Sequence, residues 1–282
     1  MIYAILAMCI WSTTAPQIRL MNFTSQPTLI FWSNAIAIIP AVIFVLRNHA
    51  RAAAGFKKYK LPLISVGLFA ASNSFTFFES IQLTTIANAL ITHYTTPVIV
   101  AVTAPFFLKE KFTLRVAVSL ITAIIGLVII VYSTGGVMNK EYNHFLGITY
   151  GLLSAVGYAA VILIGRNFKT DINPLLYIIS QSAVAILIFS PFANMNISVY
   201  PAYPVIFYLF TFSVFNIFVA AILFFNALSK VKAATVAIIG YIEPVGAILL
   251  SVILFNEPLT WKICLGGGLI LFSALIVNMK EK

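Results

Sequence analysis

Residues 27–46, PTLIFWSNAIAIIPAVIFVL, run for 20 positions without a charge. The hydrocarbon core of a bilayer takes about 20 residues of helix to cross, and backbone polar groups there must be satisfied within the segment. Runs of this kind recur at about 2–20, 27–46, 61–80, 86–107, 113–132, 146–165, 174–193, 204–226, 233–255 and 260–278. They are continuous rather than alternating, which excludes the dyad pattern of a transmembrane β-barrel. Composition agrees, with 61% of the residues hydrophobic and 9% charged, against roughly a quarter charged in soluble domains. The expected fold class is therefore an all-α integral membrane protein with ten transmembrane helices.

Charge placement sets the expected direction. With the N-terminus in the cytoplasm, 14 of the 17 basic residues fall on the cytoplasmic side, leaving Arg19, Lys140 and Lys262 outside. The positive-inside rule thus expects a multi-pass protein of the cytoplasmic (inner) membrane with both termini cytoplasmic. Residues 47–60 are expected to form the longest basic loop. The net charge of +10 is scattered singly between apolar runs, so it describes no nucleic-acid interface. The opening MIYAILAMCIW lacks a basic leader region and is expected to be a retained helix. Cys9 and Cys264 each lie in an apolar run, where free cysteine packs as a small hydrophobe, and they indicate neither a disulfide framework nor a metal site.

The chain repeats itself at an offset of 147 residues. Tyr3 matches Tyr150, Leu6 matches Leu153, Arg19 matches Arg166, and Pro27 matches Pro174. Ser33 matches Ser180, Phe77 and Phe78 match Phe224 and Phe225, and Ala87 matches Ala234. The pattern Y-x-x-P-V occurs at Tyr94–Val98 and again at Tyr241–Val245. Each half carries five runs, an odd number, so the second half is expected to insert upside down. Inverted repeats of this kind are an architecture of alternating-access carriers, with the site where the repeats meet near the midplane.

Each half also ends in P-x12-E-x2-T, from Pro97 through Glu110 to Thr113 and from Pro244 through Glu257 to Thr260. In this the chain resembles the paired EamA-type repeats of the drug/metabolite transporter superfamily, with residues 1–135 as the first five-helix repeat and 148–282 as the second, inverted one. The resemblance implies a permease for small metabolites, often amino acids or related amines, commonly working by export. It leaves the substrate open, because fold does not settle function.

Glu243 is the residue that most needs explaining. A carboxylate near the middle of a span costs about 2.5–3.5 kcal/mol on insertion scales. Gly240, Glu243, Ala247 and Ser251 follow helical spacing, so Glu243 is expected on a small-residue face turned to a helix interface or a water-filled cavity. Pro244 cannot donate to the carbonyl near residue 240, which is expected to be free for substrate or water. The equivalent positions of the first half are His93 and Thr96. A carboxyl and an imidazole at similar depth are groups that can couple proton movement to transport or bind a substrate amine, or can simply form a structural pair.

Further candidates surround them. Tyr94 and Tyr241 can line or gate the same space, and Trp11 and Tyr158 occupy equivalent positions in the first helix of each half, where they wall a cavity or pack. Asn34 and Gln181 are repeat-related amides that bind substrate or tie helices together. Glu79, with Ser72 and Thr76 on its face and Asn226 as its repeat partner, is either an access residue or a solvated helix end. Glu110 and Glu257 suit helix starts, Thr113 and Thr260 suit N-caps, and Arg19 and Arg166 are expected to snorkel from helix ends. Gly147 with Gly151, and Gly266 to Gly268, mark close helix packing.

No Walker-A sequence is present, nor H-E-x-x-H, nor G-x-S-x-G. A gradient or substrate exchange would then supply the driving force, with no cofactor and no metal. The expected function is a permease for a small polar metabolite, an amino acid or related amine, coupled to protons or working by exchange. The amine is preferred to an anion because no Lys or Arg lies near the midplane. A lipid-headgroup flippase is the nearer alternative and an intramembrane enzyme the weaker one. A complete central site in one chain makes a monomer the simpler expectation, with a homodimer left open.

Overall fold

The computed structural model describes residues 1–21, 25–47, 49–84, 89, 92–133, 143–168, 172–194, 203–255 and 260–278. Every regular element among them is helical. Among the described residues four helices are long and apolar enough to cross a membrane, spanning Gln26–Leu46, Ala54–Leu83, Phe145–Asn167 and Pro204–Lys230, and six shorter apolar helices accompany them.

The elements are α1 (Ile2–Trp11), α2 (Thr14–Met21), α3 (Gln26–Leu46), α4 (His49–Leu83), α5 (Thr96–Leu108), α6 (Leu114–Ser133), α7 (His144–Asn167) and α8 (Pro174–Phe189). There follow α9 (Tyr203–Thr211), a π-helix (Phe212–Val219), α10 (Ala220–Lys230), α11 (Ala233–Ile239), α12 (Ile242–Phe255) and α13 (Trp261–Asn278). Proline opens α3, α5 and α8 within their first two positions, where its missing N–H would have had no intrahelical partner. The side chains of Asn143 and Asn173 cap α7 and α8, and Thr113 accepts the Val116 amide at the start of α6, as its N-cap reading expects.

The exposed surface is apolar where a soluble protein's would be polar. Phe106 is 81% exposed and Phe145 83%, while the packed interior is rich in alanine, including Ala4, Ala7, Ala37, Ala41 and Ala104. Large side chains face outward and small ones let the helices approach, the inside-out economy of helix packing in lipid. The chief packed pairs are α4 with α7, α6 with α13, α3 with α8, and α4 with α8. A Cβ placed on Gly126 would lie 2.6 Å from the Gly266 carbonyl oxygen, so α6 and α13 touch backbone to backbone. Gly147 likewise meets Leu83 and Thr84 at the end of α4, Gly151 meets Ser80 and Thr92, and the Ser80 hydroxyl donates to the Gly147 carbonyl at 2.8 Å. Gly268, by contrast, is exposed and meets no neighbour, so the glycine run packs through Gly266 and Gly267 only.

Two expected boundaries are corrected. The basic stretch 47–60 is not a loop: the chain is helical from His49, with a break at Tyr59 (φ −115°, ψ 25°), and its Ala, Arg and Lys content favours helix. The first apolar run is two helices, parted at Ser12 and Thr13.

Candidate functional site

The helical backbone is interrupted at four places that draw together. Two are turns just before the repeated prolines, at Tyr94–Thr95 and at Gly240–Tyr241. The third is the Ser12–Thr13 break, against which α12 closes: a Cβ on Gly246 would come within 2.6 Å of the Ser12 Cβ. The fourth is the π-helix, a rare geometry often found at functional sites. Non-helical backbone at membrane depth is tolerated where it is buried in protein or lines a cavity.

The Gly240–Tyr241 turn corrects the continuous face expected for Gly240, Glu243, Ala247 and Ser251. Gly240 ends one helix and Glu243 stands in the first turn of the next. The carbonyl that Pro244 leaves without a helical donor is not free either. It accepts the Glu243 amide at 3.0 Å.

The Glu243 carboxyl lies beside the Tyr94 hydroxyl and close to Tyr158. The positive end of α12 favours negative charge there. No Lys or Arg pairs with it among the described residues.

Aromatic rings enclose this carboxyl's partners. The His93 ring lies 4.1 Å from Phe77, 5.3 Å edge-on to Tyr94, and parallel to Tyr158 at 5.8 Å. Tyr158 continues to Phe224 at 5.9 Å and to Trp11 at 6.4 Å, and Tyr94 meets Tyr241 at 5.9 Å. The Ser154 hydroxyl spends its one proton on the Gly151 carbonyl at 2.7 Å. His93 Nδ1–H therefore donates to Ser154 Oγ at 2.9 Å. Tyr241 donates to the Tyr94 carbonyl at 2.9 Å, which joins the two repeated motifs directly.

A second polar knot adjoins Trp11. Its indole donates to the Asn216 carbonyl at 2.8 Å, Thr14 donates to Asn216 Oδ1 at 2.9 Å, and Asn216 Nδ2 donates to Gln17 Oε1 at 3.1 Å. Asn216 sits in the π-helix and is almost fully buried.

Of the ten candidates read from the sequence, Glu243, Tyr94, His93, Tyr158, Tyr241 and Trp11 are brought together. Thr96 is adjacent, but its hydroxyl is committed to the His93 carbonyl at 2.8 Å and to that of Ala155 at 3.3 Å, a structural role. Asn34 donates within its own helix to the Ile30 carbonyl, and its buried Oδ1 has no partner. Gln181 and Glu79 are half-buried. Among the described residues no hydrogen bond or ring contact links Asn34, Gln181 or Glu79 with the Glu243 cluster. Phe77, Ser154, Asn216 and Phe224 belong to the site and escaped the sequence reading. Phe77 and Phe224 are themselves repeat partners, and Asn216 is a lone amide in an apolar run, so both signals were present.

Arg166 does not snorkel. It pairs with Glu110, which is thereby more than a helix-start residue. Glu257 and the Arg19 side chain lie outside the described residues.

These features match known proteins along the whole chain. The EamA-like transporter family matches residues 1–132 and again residues 145–279. An uncharacterised transporter of Bacillus subtilis, YetK, is 22% identical over 213 residues, and one of Archaeoglobus fulgidus is 25% identical over 186. Those matches cover 74% and 66% of this chain but 64% and 65% of the relatives, so the chain spans just under two thirds of their length. An S-adenosylmethionine uptake transporter of Rickettsia conorii is 24% identical over 259 residues, covering 89% of this chain and 81% of its own. A solved crystal structure superposes with a TM-score of 0.82 at 16% identity, over 98% of this chain and 95% of that one, which shows the shared fold. The chain belongs to the EamA-like transporter family of membrane transport proteins.

Proposed function

We propose that the chain is a ten-span permease of two inverted five-helix repeats that carries a small, polar, amine-bearing metabolite by alternating access, with the Glu243 carboxylate taking up substrate cation and proton in turn. The observation that carries this reading is Glu243 itself. It is an acid at the start of a half-helix, beside Tyr94 and Tyr158, whose rings pack with those of His93 and Trp11, and no Lys or Arg pairs with it among the described residues. A carboxylate without such a partner takes its counter-charge from a ligand or a proton, and aromatic faces attract a desolvated cation. Broken helices at the depth of a repeat interface are where carriers of this architecture bind. S-adenosylmethionine, named for the Rickettsia relative, is an amine-bearing cation and falls in the same class. Charge placement supports cytoplasmic termini and the inner membrane. Net direction follows the gradients imposed, inward or outward.

Proteoliposome uptake of radiolabelled amino acids, polyamines, S-adenosylmethionine and anionic metabolites, with and without a pH gradient, tests the proposal. An amine is expected to be carried by the wild type and not by Glu243→Gln. Carriage of an anion that survives this substitution would overturn it.

A lipid-headgroup flippase is the second reading, favoured by one observation. A groove of about 420 Å³ opens between α3, α8 and the π-helix with α10, lined by Phe44, Pro174, Leu175, Phe218 and Ile222 with Asn173 and Asn226. Competition by short-chain lipids in the same assay would favour it.

A further inference from the structure

We propose that Glu110 and Arg166 form a latch holding one mouth of the transporter closed, so that this pair sets which side of the membrane the Glu243 site faces. The proposal rests on the alternating-access reading above. Arg166 Nε donates to Glu110 Oε1 at 2.8 Å, and the two side chains are 14% and 11% exposed. Each also grips backbone. Arg166 Nη1 donates to the Leu228 carbonyl at 2.9 Å, and Glu110 Oε2 accepts the Ala233 amide at 2.9 Å.

One ion pair thus ties the ends of α5, α7 and α10 to the start of α11. Glu110 comes from the first matched segment and the other three residues from the second, so the pair bridges the parts that must separate for this mouth to open. The Leu228 carbonyl that the guanidinium meets lies in the last turn of α10, where a cation is favoured.

The backbone is bent to make this contact. Lys109, directly before Glu110, holds φ at 54°, the one positive φ outside glycine among the described residues. A left-handed lysine is unfavourable by itself and persists where its surroundings over-determine it. Here it turns the chain at the end of α5 so that Glu110 faces α7 and α11. The latch reaches the site through α11, whose seven residues, about 10 Å of helix, run from the gripped Ala233 amide to the Gly240 turn beside Glu243. Fully buried Leu228 and Ala233 seal the same end, close to the basic Lys109, Lys111, Lys230 and Lys232.

Breaking one partner leaves the other charged and partly desolvated, which shifts the balance towards the open mouth. The test needs no substrate. In oriented proteoliposomes, with Cys9 and Cys264 changed to serine, Thr235→Cys is labelled by a membrane-impermeant maleimide applied from each side, and amide hydrogen exchange is followed over residues 231–239. Glu110→Gln is expected to raise labelling from the side that carries Lys109, Lys111, Lys230 and Lys232 about tenfold and to speed exchange in α11, while α6 and α13 keep their protection. Arg166→Gln, which removes the other charge, is expected to raise labelling likewise, while the charge-keeping Arg166→Lys stays closer to the wild type. Unchanged labelling in Glu110→Gln, or loosening spread equally over α6 and α13, would overturn the latch, the latter outcome meaning a stability role only. A latch confirmed while amine transport fails would sink the substrate reading and leave the gate standing.

Discussion

The two Y-x-x-P-V turns began as one motif and now do different work. At the first, Pro97 leaves the His93 carbonyl without its helical donor, and the Thr96 hydroxyl takes it at 2.8 Å. The turn is closed on itself. At the second, Pro244 leaves the Gly240 carbonyl, and the Glu243 backbone amide takes it at 3.0 Å. That solution spends no side chain, so the residue at the Thr96 position is released, and it is a glutamate. Its carboxyl reaches across to Tyr94 of the first turn, while Tyr241 of the second returns a hydrogen bond to the Tyr94 carbonyl. The tyrosines are divided too. Val98 donates to the Thr95 carbonyl instead of that of Tyr94, so Tyr241 fills a backbone vacancy and Tyr94 tends the acid. The two repeated turns thus fill the same vacancy differently, the first with a side chain and the second with a backbone amide.

The largest effect should come from removing the charge on one side of this comparison. Glu243→Gln is expected to lower initial transport rates in proteoliposomes by about a hundredfold or more, as when a buried interaction of a few kcal/mol is lost. Thr96→Val should stay within about threefold, because its hydroxyl serves only carbonyls and one such bond is worth about 1 kcal/mol. Equal losses would mean that the turns share the load. Transplanting the acid sharpens the point. The double variant Thr96→Glu with Glu243→Thr should remain inactive, since the acid no longer faces Tyr94. Recovered transport would show the halves to be interchangeable. The smallest expected difference lies between the tyrosines. Tyr241→Phe should destabilise by about 1–2 kcal/mol through an unsatisfied carbonyl with the substrate KM little changed. Tyr94→Phe should raise KM severalfold with a smaller fall in thermal stability. The reverse pattern in thermal melts and uptake kinetics would reassign their roles.

Much of the candidate site was legible. Glu243 stands out because a midplane acid is costly, and the 147-residue offset points from it to Thr96 and His93 and from Trp11 to Tyr158. Asn216 escaped because its repeat counterpart is Phe69, so symmetry offers no cue, and the π-helix that exposes its carbonyl to Trp11 leaves no mark in composition. The free carbonyl expected beside Pro244 failed for a local reason: the turn lets the preceding amide fill the vacancy. Arg166 and Glu110 were each visible as one of a repeated pair, yet nothing in the chain couples residues 56 positions apart until α7 packs beside the end of α5.

By itself the sequence determined that this chain is helical, apolar enough to lie in a membrane, and built of two matched parts that resemble a transporter family. Those properties are written locally, in run length, hydropathy and a fixed repeat offset, because the bilayer imposes its demand on each segment separately. Only the tertiary structure decided which polar groups meet: Glu243 with Tyr94, Trp11 with Asn216, and Arg166 with Glu110. Within lipid, helices are oriented by close packing and by the few polar groups that must find partners, and both depend on neighbours distant in the chain.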